Sequence, residues 1–244
     1  MESNDLLFLS GNDLPFPEAR ITIHQPTIKE IGYIGEETFY MGLELINFSK
    51  NILPEEDKIH LETKTNFDVL IAILKERNAV MQKNRNCIEL VLALMFPLYE
   101  INFTDKIELT KEGETRYIDN SNFELFVKIV NEMFSFKNEK SLDFNPSGDM
   151  AKSIADKLKK RHEKLNQIKN NDSKKIDILS RYVSILAIGQ QKDMNSLLQY
   201  TVYQLFDEFK RYELKMNYDI YISAKMAGAK DLKEVEDWMQ DIHQ

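Results

Sequence analysis

The residue types that most often carry out chemistry are present in this chain, but their spacing does not form a recognisable site. The histidines are His24, His60, His162 and His243. None has a second His or a Cys at zinc-ligand spacing, and His162-Glu163 lacks the second His of a metalloprotease helix. Adjacent acids such as Glu36-Glu37 are typical of a solvated surface or a helix N-terminus. The sequence therefore predicts a protein that is not an enzyme, with no catalytic residue, no metal site and no cofactor.

The single cysteine, Cys87, begins a largely apolar run that extends to Phe96. Lys83 and Arg85 are close enough in sequence to lower the pKa of its thiol, which leaves a reactive cysteine as one interpretation. Because no His or second Cys accompanies it, a small buried hydrophobe is the favoured interpretation. A chain with one cysteine forms no internal disulfide, which fits a reducing cytoplasm.

Net charge is distributed unevenly along the 244 residues. The whole chain carries −8, but residues 152–175 carry nine basic and three acidic residues, a net +6 that leaves −14 for the rest. The acidic total argues against general affinity for nucleic acid. The basic patch within this segment consists of Lys157, Lys159, Lys160, Arg161 and Lys164. It is either a solvated face or a contact for an acidic protein surface, including another copy of this chain. Nucleic acid is the least favoured partner, because the segment has no aromatic residue that would stack on bases.

The sequence predicts no membrane association. Its N-terminus has no basic region of the kind that begins a secretory signal. The longest apolar run, residues 90–99, is about half as long as a bilayer-spanning helix. We therefore expect an intracellular protein.

The N-terminal half combines helices with a small amount of β-structure. After an irregular arm over residues 1–18, alternation predicts a strand over residues 19–24, and Thr27-Ile-Lys-Glu30 is a capping box that begins a helix over residues 28–48. Three glycines in this helix lower its stability or permit close approach of another segment: Gly32, Gly35 and Gly42. Helical patterns follow over residues 67–74 and 88–96. Residues 99–118 then predict an antiparallel meander of two or three strands, and a second capping box at residues 121–124 begins a helix that extends to about residue 134.

The C-terminal half is predicted to be helical throughout. A thin apolar stripe over residues 150–168 suggests an arm or a coiled-coil helix, residues 176–188 form a broader apolar helix, and a capped short helix is expected after residue 231. The longest pattern is an apolar seam with steps of four and three residues: Leu198, Val202, Leu205, Phe209, Tyr212 and Met216. We predict a mainly α (α+β) protein with an α+β domain over residues 1–140 and a helical region over residues 141–244.

Aromatic side chains widen this seam into the aromatic ridge, which consists of Tyr203, Phe206, Phe209 and Tyr212. One interpretation is a helix packed inside its own domain, because the ridge is broader than a coiled-coil stripe. The other is a surface that binds a second protein. We take the ridge and the basic patch as the candidate partner-binding residues.

Two stretches resemble tail-assembly chaperone-like proteins of phages that infect low-GC bacteria. Residues 20–40, RITIHQPTIKEIGYIGEETFY, resemble the opening of such proteins, through Pro26-Thr27, Ile34-Gly35-Glu36 and Phe39-Tyr40. The C-terminal YQLFDEFKRY at residues 203–212, with Ala227-Gly228-Ala229 and Trp238-Met239, is similar to their end. The resemblance covers about 60 residues at the two ends of the chain.

The resemblance implies a transient assembly factor in the cytoplasm of the bacterial host. Such proteins coat the helical tape-measure protein, recruit tail-tube subunits and then leave the particle. The family has no catalytic residues. A structural tail or baseplate component that stays in the virion and a nucleic-acid-binding regulator are the alternative functions.

Overall fold

A computed structural model describes residues 5–48, 63–75, 79–134, 177–228 and 237–240. The helices in these residues are α1 (Asp5–Ser10), α2 (Ile28–Ile34), α3 (Glu36–Ile46), α4 (Asn66–Lys75), α5 (Ala79–Met95), α6 (Phe123–Met133), α7 (Ile178–Gln190), α8 (Met194–Leu198) and α9 (Val202–Met226). The strands are β1 (Leu14–Phe16), β2 (Ile21–Ile23), β3 (Glu100–Phe103), β4 (Ile107–Lys111) and β5 (Glu114–Ile118). The predicted fold class, mainly helical with a small antiparallel β element in the N-terminal half, is confirmed.

Contacts group the chain into two compact units. One unit combines residues 1–136 with residues 178–244, and the other consists of residues 137–177. Helices α7 and α9 share one apolar core with the N-terminal elements, and the division predicted at residue 140 stays a prediction. That core includes Phe16 of β1, Phe39 of α3, Phe126 of α6 and Leu205 of α9. Independent folding of the two predicted regions stays a prediction.

The β-structure consists of a short hairpin and a three-stranded meander. The meander has the order β3-β4-β5 with antiparallel pairing, as predicted. Glu112 and Gly113 connect β4 to β5 with φ values of 54° and 83°, so both turn residues have the positive φ of a tight hairpin turn. Strand β1, which was not predicted from the sequence, pairs with β2 through Leu14–Ile23 and Phe16–Ile21. Pro15 argued against a strand there, but a proline is tolerated in an edge strand.

The helix predicted over residues 28–48 is two helices. The capping box at Thr27 is confirmed: its hydroxyl accepts a hydrogen bond from the Glu30 backbone, and the Glu30 carboxylate accepts one from the Thr27 backbone. Gly35 has φ 85° and separates α2 from α3. At Gly42, the predicted close approach is confirmed, because a Cβ there would lie 2.5 Å from the Cys87 carbonyl oxygen of α5.

The predicted capping box at residues 121–124 is wrong. Helix α6 begins at Phe123 with Asn122 as its N-cap, and no side chain caps it. The Ser121 hydroxyl instead donates to the Asp119 carboxylate at 2.6 Å. Because that hydroxyl is already engaged before the helix begins, it does not cap the first turn.

The predicted C-terminal seam is interrupted. Leu198 ends α8, and α9 begins after Thr201, whose hydroxyl forms a capping box with Gln204. The interruption occurs because the chain there contacts the start of α2: Ile28 N donates to the Tyr200 carbonyl at 2.8 Å, and Thr27 and Thr201 form an antiparallel bridge. The N-termini of α2 and α9 are therefore held side by side.

Candidate protein-binding groove

The aromatic ridge does not form one open surface. Tyr203 is 6% exposed, its ring stacks on Phe8 of α1 with centroids 5.1 Å apart, and its hydroxyl donates to Asp5 at 2.8 Å. These contacts place Tyr203 in the core, which corrects the expectation that it faces a partner. Its position follows from α1, a helix that the sequence analysis treated as part of an irregular arm.

The next ridge residues form the contact between α7 and α9. The Tyr182 ring of α7 stacks on Phe209 with centroids 3.7 Å apart and an angle of 3° between the planes. Phe206 meets the same tyrosine edge-on at 5.3 Å. Both phenylalanines are half-buried, so this part of the ridge packs inside its own domain, as one of the two interpretations predicted.

Tyr212 lies directly on α7 at a glycine. A Cβ built at Gly189 would lie 2.1 Å from the tyrosine hydroxyl oxygen and 2.4 Å from Cζ. Only a residue without a side chain permits this contact. Tyr212 remains half-buried and lines the groove described below.

Beyond Leu214, helix α9 leaves the core. Leu214 is 4% exposed, whereas Met216 is 41%, Ile220 is 61% and Met226 is 84% exposed. At about 100° per residue these three side chains lie within about 120° around the helix axis, on the side that also carries Tyr212. We call Met216, Ile220 and Met226 the exposed stripe. The same part of α9 carries the ion pair Lys215–Asp219, whose charged atoms are 2.6 Å apart.

A groove of about 840 Å³ lies along the same side of α9 and joins the exposed stripe at Met216. Its walls come from α1, the end of α7, the segment before α9 and α9 itself. The side chains that line it include Tyr200, Arg211, Tyr212, Met216 and Trp238. The groove combines aromatic and apolar surface with charged groups, a composition that suits a peptide or helix better than a small apolar ligand.

One wall of the groove is held by a lysine. The Lys192 ammonium donates to the Tyr200 hydroxyl at 3.1 Å and to the Glu208 carboxylate. Burial lowers the pKa of Lys192, but the hydrogen bonds and charge of Glu208 and Tyr200 outweigh it, and the pKa lies above its ordinary value. This side chain is therefore charged at neutral pH and ties the α7–α8 connection to α9.

A second cavity of about 680 Å³ lies between α4, α5 and β3. Arg85 and Glu89 form an ion pair of 2.7 Å at its edge. The exposed stripe continues the first groove and not this one, so the first is the better candidate.

His24 and Cys87, whose side chains are of types that can carry out chemistry, make contacts within the fold. His24 lies between two carboxylates, with Nδ1 2.8 Å from Asp13 and Nε2 3.4 Å from Glu30. Burial raises the pKa of Cys87, whose thiol points towards the Met41 sulfur at 3.5 Å, so the buried interpretation is confirmed. Within the described residues, no group of three or more His, Cys, Asp or Glu side chains is arranged to hold a metal ion.

Several predicted features lie outside the described residues. They include the whole basic patch, namely Lys157, Lys159, Lys160, Arg161 and Lys164, and the long arm over residues 150–168. They also include the cap predicted at residue 231. For the part of the chain that is described, the structure contains no helix with the length and hydrophobicity of a membrane span.

Comparison with known proteins identifies a related family for the C-terminal part of the chain. The family model of the YomV second domain matches residues 169–243, which include α7, α8, α9 and Trp238 and therefore most of the groove. No curated protein and no solved structure is significantly similar to the chain. Because the YomV family is phage-derived, the match indicates a phage protein whose similarity lies in the residues that build the groove.

Proposed function

We propose that the protein is a protein-binding assembly factor of a phage, a tail-assembly chaperone that holds apolar helices of the tape-measure protein and recruits tail-tube subunits. The observation that carries the proposal is the change of environment along α9. Its first half is anchored in the core, and its second half presents Met216, Ile220 and Met226 to solvent beside a groove.

The geometry of α9 suits recognition of another helix. An amphipathic helix binds in a groove through apolar side chains about one turn apart, which is the spacing of Met216 and Ile220. Two of the three exposed side chains are methionines, which are flexible and adapt to different apolar surfaces. A protein that coats a long helical partner has to bind many related segments, and such a surface supports that role.

The size of the surface fits a transient complex. The exposed fractions of the three stripe residues add up to the surface of about two full side chains. If a partner covers that surface, the hydrophobic contribution to binding is about 3–6 kcal/mol. Association itself costs at least about 4 kcal/mol in lost freedom of motion. The stripe alone therefore supports weak, reversible contacts, and tight coating requires the groove or many copies along one partner.

Two further findings support the proposal. The match to a phage-derived family covers this helix, and the resemblance to tail-assembly chaperones includes residues 203–212 within it. The anchored first half of α9 gives the exposed half a rigid support. Rigid placement lowers the entropy that a binding surface loses when it is covered.

The test is co-expression with a phage tape-measure protein, followed by pull-down. We expect Ile220→Asp to reduce capture at least about tenfold, which corresponds to about 1.4 kcal/mol. Leu98→Asp is the matched control, because Leu98 is 62% exposed in the turn before β3 and far from α9 in sequence. Circular dichroism of both variants should match the wild type.

Two results would contradict the proposal. One is capture that is equal for the two variants, or absent for the wild type. The other is the presence of this chain at stoichiometric level in purified particles, measured by mass spectrometry. That second result identifies a structural tail or baseplate component instead.

A further inference from the structure

The chain's own C-terminal segment contacts the groove. The Arg211 guanidinium of α9 donates to the backbone carbonyls of Trp238 at 3.2 Å and of Gln240. Residues 237–240 form a compact turn, in which Gln240 N donates to the Asp237 carbonyl at 3.1 Å. The turn therefore presents its carbonyl oxygens together to one side chain.

This contact has the character of a recognition site. A guanidinium carries a permanent charge and several donors in a fixed plane, so it binds two acceptors at once. Carbonyl groups at the end of a turn or helix lack internal donors and carry partial negative charge. Arg211 is therefore suited to receive the C-terminal end of a turn or helix.

A side chain accompanies the carbonyls. Trp238 lines the groove and is half-buried, whereas its neighbours Asp237, Met239 and Gln240 are exposed. Met239 is 70% exposed. The tryptophan is thus the member of the segment that contributes apolar contact, and a contact this small is readily displaced.

We propose that residues 237–240 occupy one end of the α9 groove as an internal competitor, and that a partner must displace them to bind along the helix. The partner segment has the same chemistry, namely the C-terminal turn of a helix with an aromatic side chain and free carbonyls for Arg211. The displacement rests on the proposed function, while the internal occupancy does not. Such a competitor keeps that end of the groove occupied until a ligand that binds more tightly displaces it.

A peptide of residues 229–244 tests the internal occupancy without any partner. Labelled with a fluorophore, it should bind full-length Trp238→Ala at least about tenfold more tightly than wild type, because the internal competitor has lost its apolar contact. Met239→Ala is the matched control in the same segment and should bind the peptide like wild type. The double variant Trp238→Ala, Arg211→Ala should lose the tighter peptide binding. The double variant Trp238→Ala, Lys210→Ala should keep it, because Lys210 is an exposed neighbour paired with Glu213.

The occupancy is overturned if wild type and Trp238→Ala bind the peptide equally, or if neither binds it. It is also overturned if the gain survives the Arg211 change. Circular dichroism and thermal unfolding of each variant distinguish a lost contact from a lost fold.

Displacement has its own measurement, because Trp238 is the single tryptophan of the chain. Titration with a tape-measure helix should shift its emission to longer wavelength and increase quenching by acrylamide. Trp238→Ala should bind that helix more tightly than wild type. Binding without either effect overturns displacement but leaves the proposed function intact. No binding to any variant overturns the proposed function, and the peptide result then decides the occupancy.

Discussion

Replacing Gly42 with alanine places a methyl group between α3 and α5, where the structure has no space for one. A Cβ at this position lies 2.5 Å from the Cys87 carbonyl oxygen and 2.6 Å from Cγ2 of Val91. The valine can change rotamer, but the carbonyl belongs to the backbone of α5 and moves only with that helix. We therefore expect the substitution to push the two helices apart.

The change in the free energy of unfolding is the difference between two opposing effects of Gly42→Ala. Alanine is more favourable than glycine inside a helix by about 1 kcal/mol. Forcing extra volume into a packed core costs about 1–3 kcal/mol. Because the clash at Gly42 involves backbone, we take the upper end of that range and expect a net loss of about 2 kcal/mol in the free energy of unfolding. For a chain of this length, that corresponds to a fall in Tm of about 4–8 °C.

Gly32 provides the control for the same chemical change. It lies in α2, and a Cβ there has nothing within 4 Å. Gly32→Ala should therefore show only the effect of alanine's higher helix propensity and raise the free energy of unfolding by about 0.5–1 kcal/mol. Urea unfolding followed by circular dichroism measures both variants, and an unchanged m value shows that the denatured state is comparable. Equal effects of the two substitutions, or a stabilised Gly42→Ala, would refute this account of the α3–α5 contact.

Three further outcomes follow from single side chains. The buried Tyr40 hydroxyl has no hydrogen-bond partner among the residues that the structure describes, and burial first, then the Glu36 charge, raises its pKa far above the ordinary value. Tyr40→Phe should therefore leave the free energy of unfolding in urea unchanged or raise it by up to about 1 kcal/mol. A decrease of more than about 1 kcal/mol would indicate that the hydroxyl has a hydrogen-bond partner. Because the pKa of buried Cys87 is raised, iodoacetamide should modify native protein at least about tenfold more slowly than urea-unfolded protein, and equal rates would contradict its burial. Burial raises the pKa of Glu30, but hydrogen bonds from Thr27 outweigh it, so the pKa lies below the usual 4.5. Its charge therefore stabilises the fold above that value, and the stabilisation is lost as pH falls through the lowered pKa. Glu30→Gln should cost about 0.5–1 kcal/mol at pH 7. In pH-dependent thermal unfolding, the difference from wild type should disappear once the pH has fallen below the lowered pKa of Glu30, and a constant difference would contradict this assignment.

Local signals predicted much of the fold. Residues a few positions apart predict the Thr27 capping box, the β3–β5 meander and the helical character of the long elements. Their contacts form within one element or one hairpin. The Ser121 motif failed for an equally local reason. A hydroxyl there has two possible partners, and the Asp119 carboxylate on its N-terminal side accepts its hydrogen bond instead.

The aromatic ridge shows why the site was harder to predict. Its periodicity establishes that one face of α9 is apolar, and this is all that spacing along a helix can establish. Tyr203 and Phe209 fit that pattern, but their partners are Phe8 and Tyr182, which are distant in sequence. The pattern therefore could not distinguish a helix packed against its own domain from one that receives another protein.

The sequence by itself determined that the protein is mainly helical and that α2 begins after Thr27, and it favoured a small buried hydrophobe at Cys87. Each of these depends on composition or on neighbours within about one turn. Only the tertiary structure decided that α9 is buried in its first half and exposed in its second, because that depends on where α1 and α7 end against it. The glycines make the same point: Gly32, Gly42 and Gly189 all lie in helices, yet a Cβ would meet another segment only at the latter two.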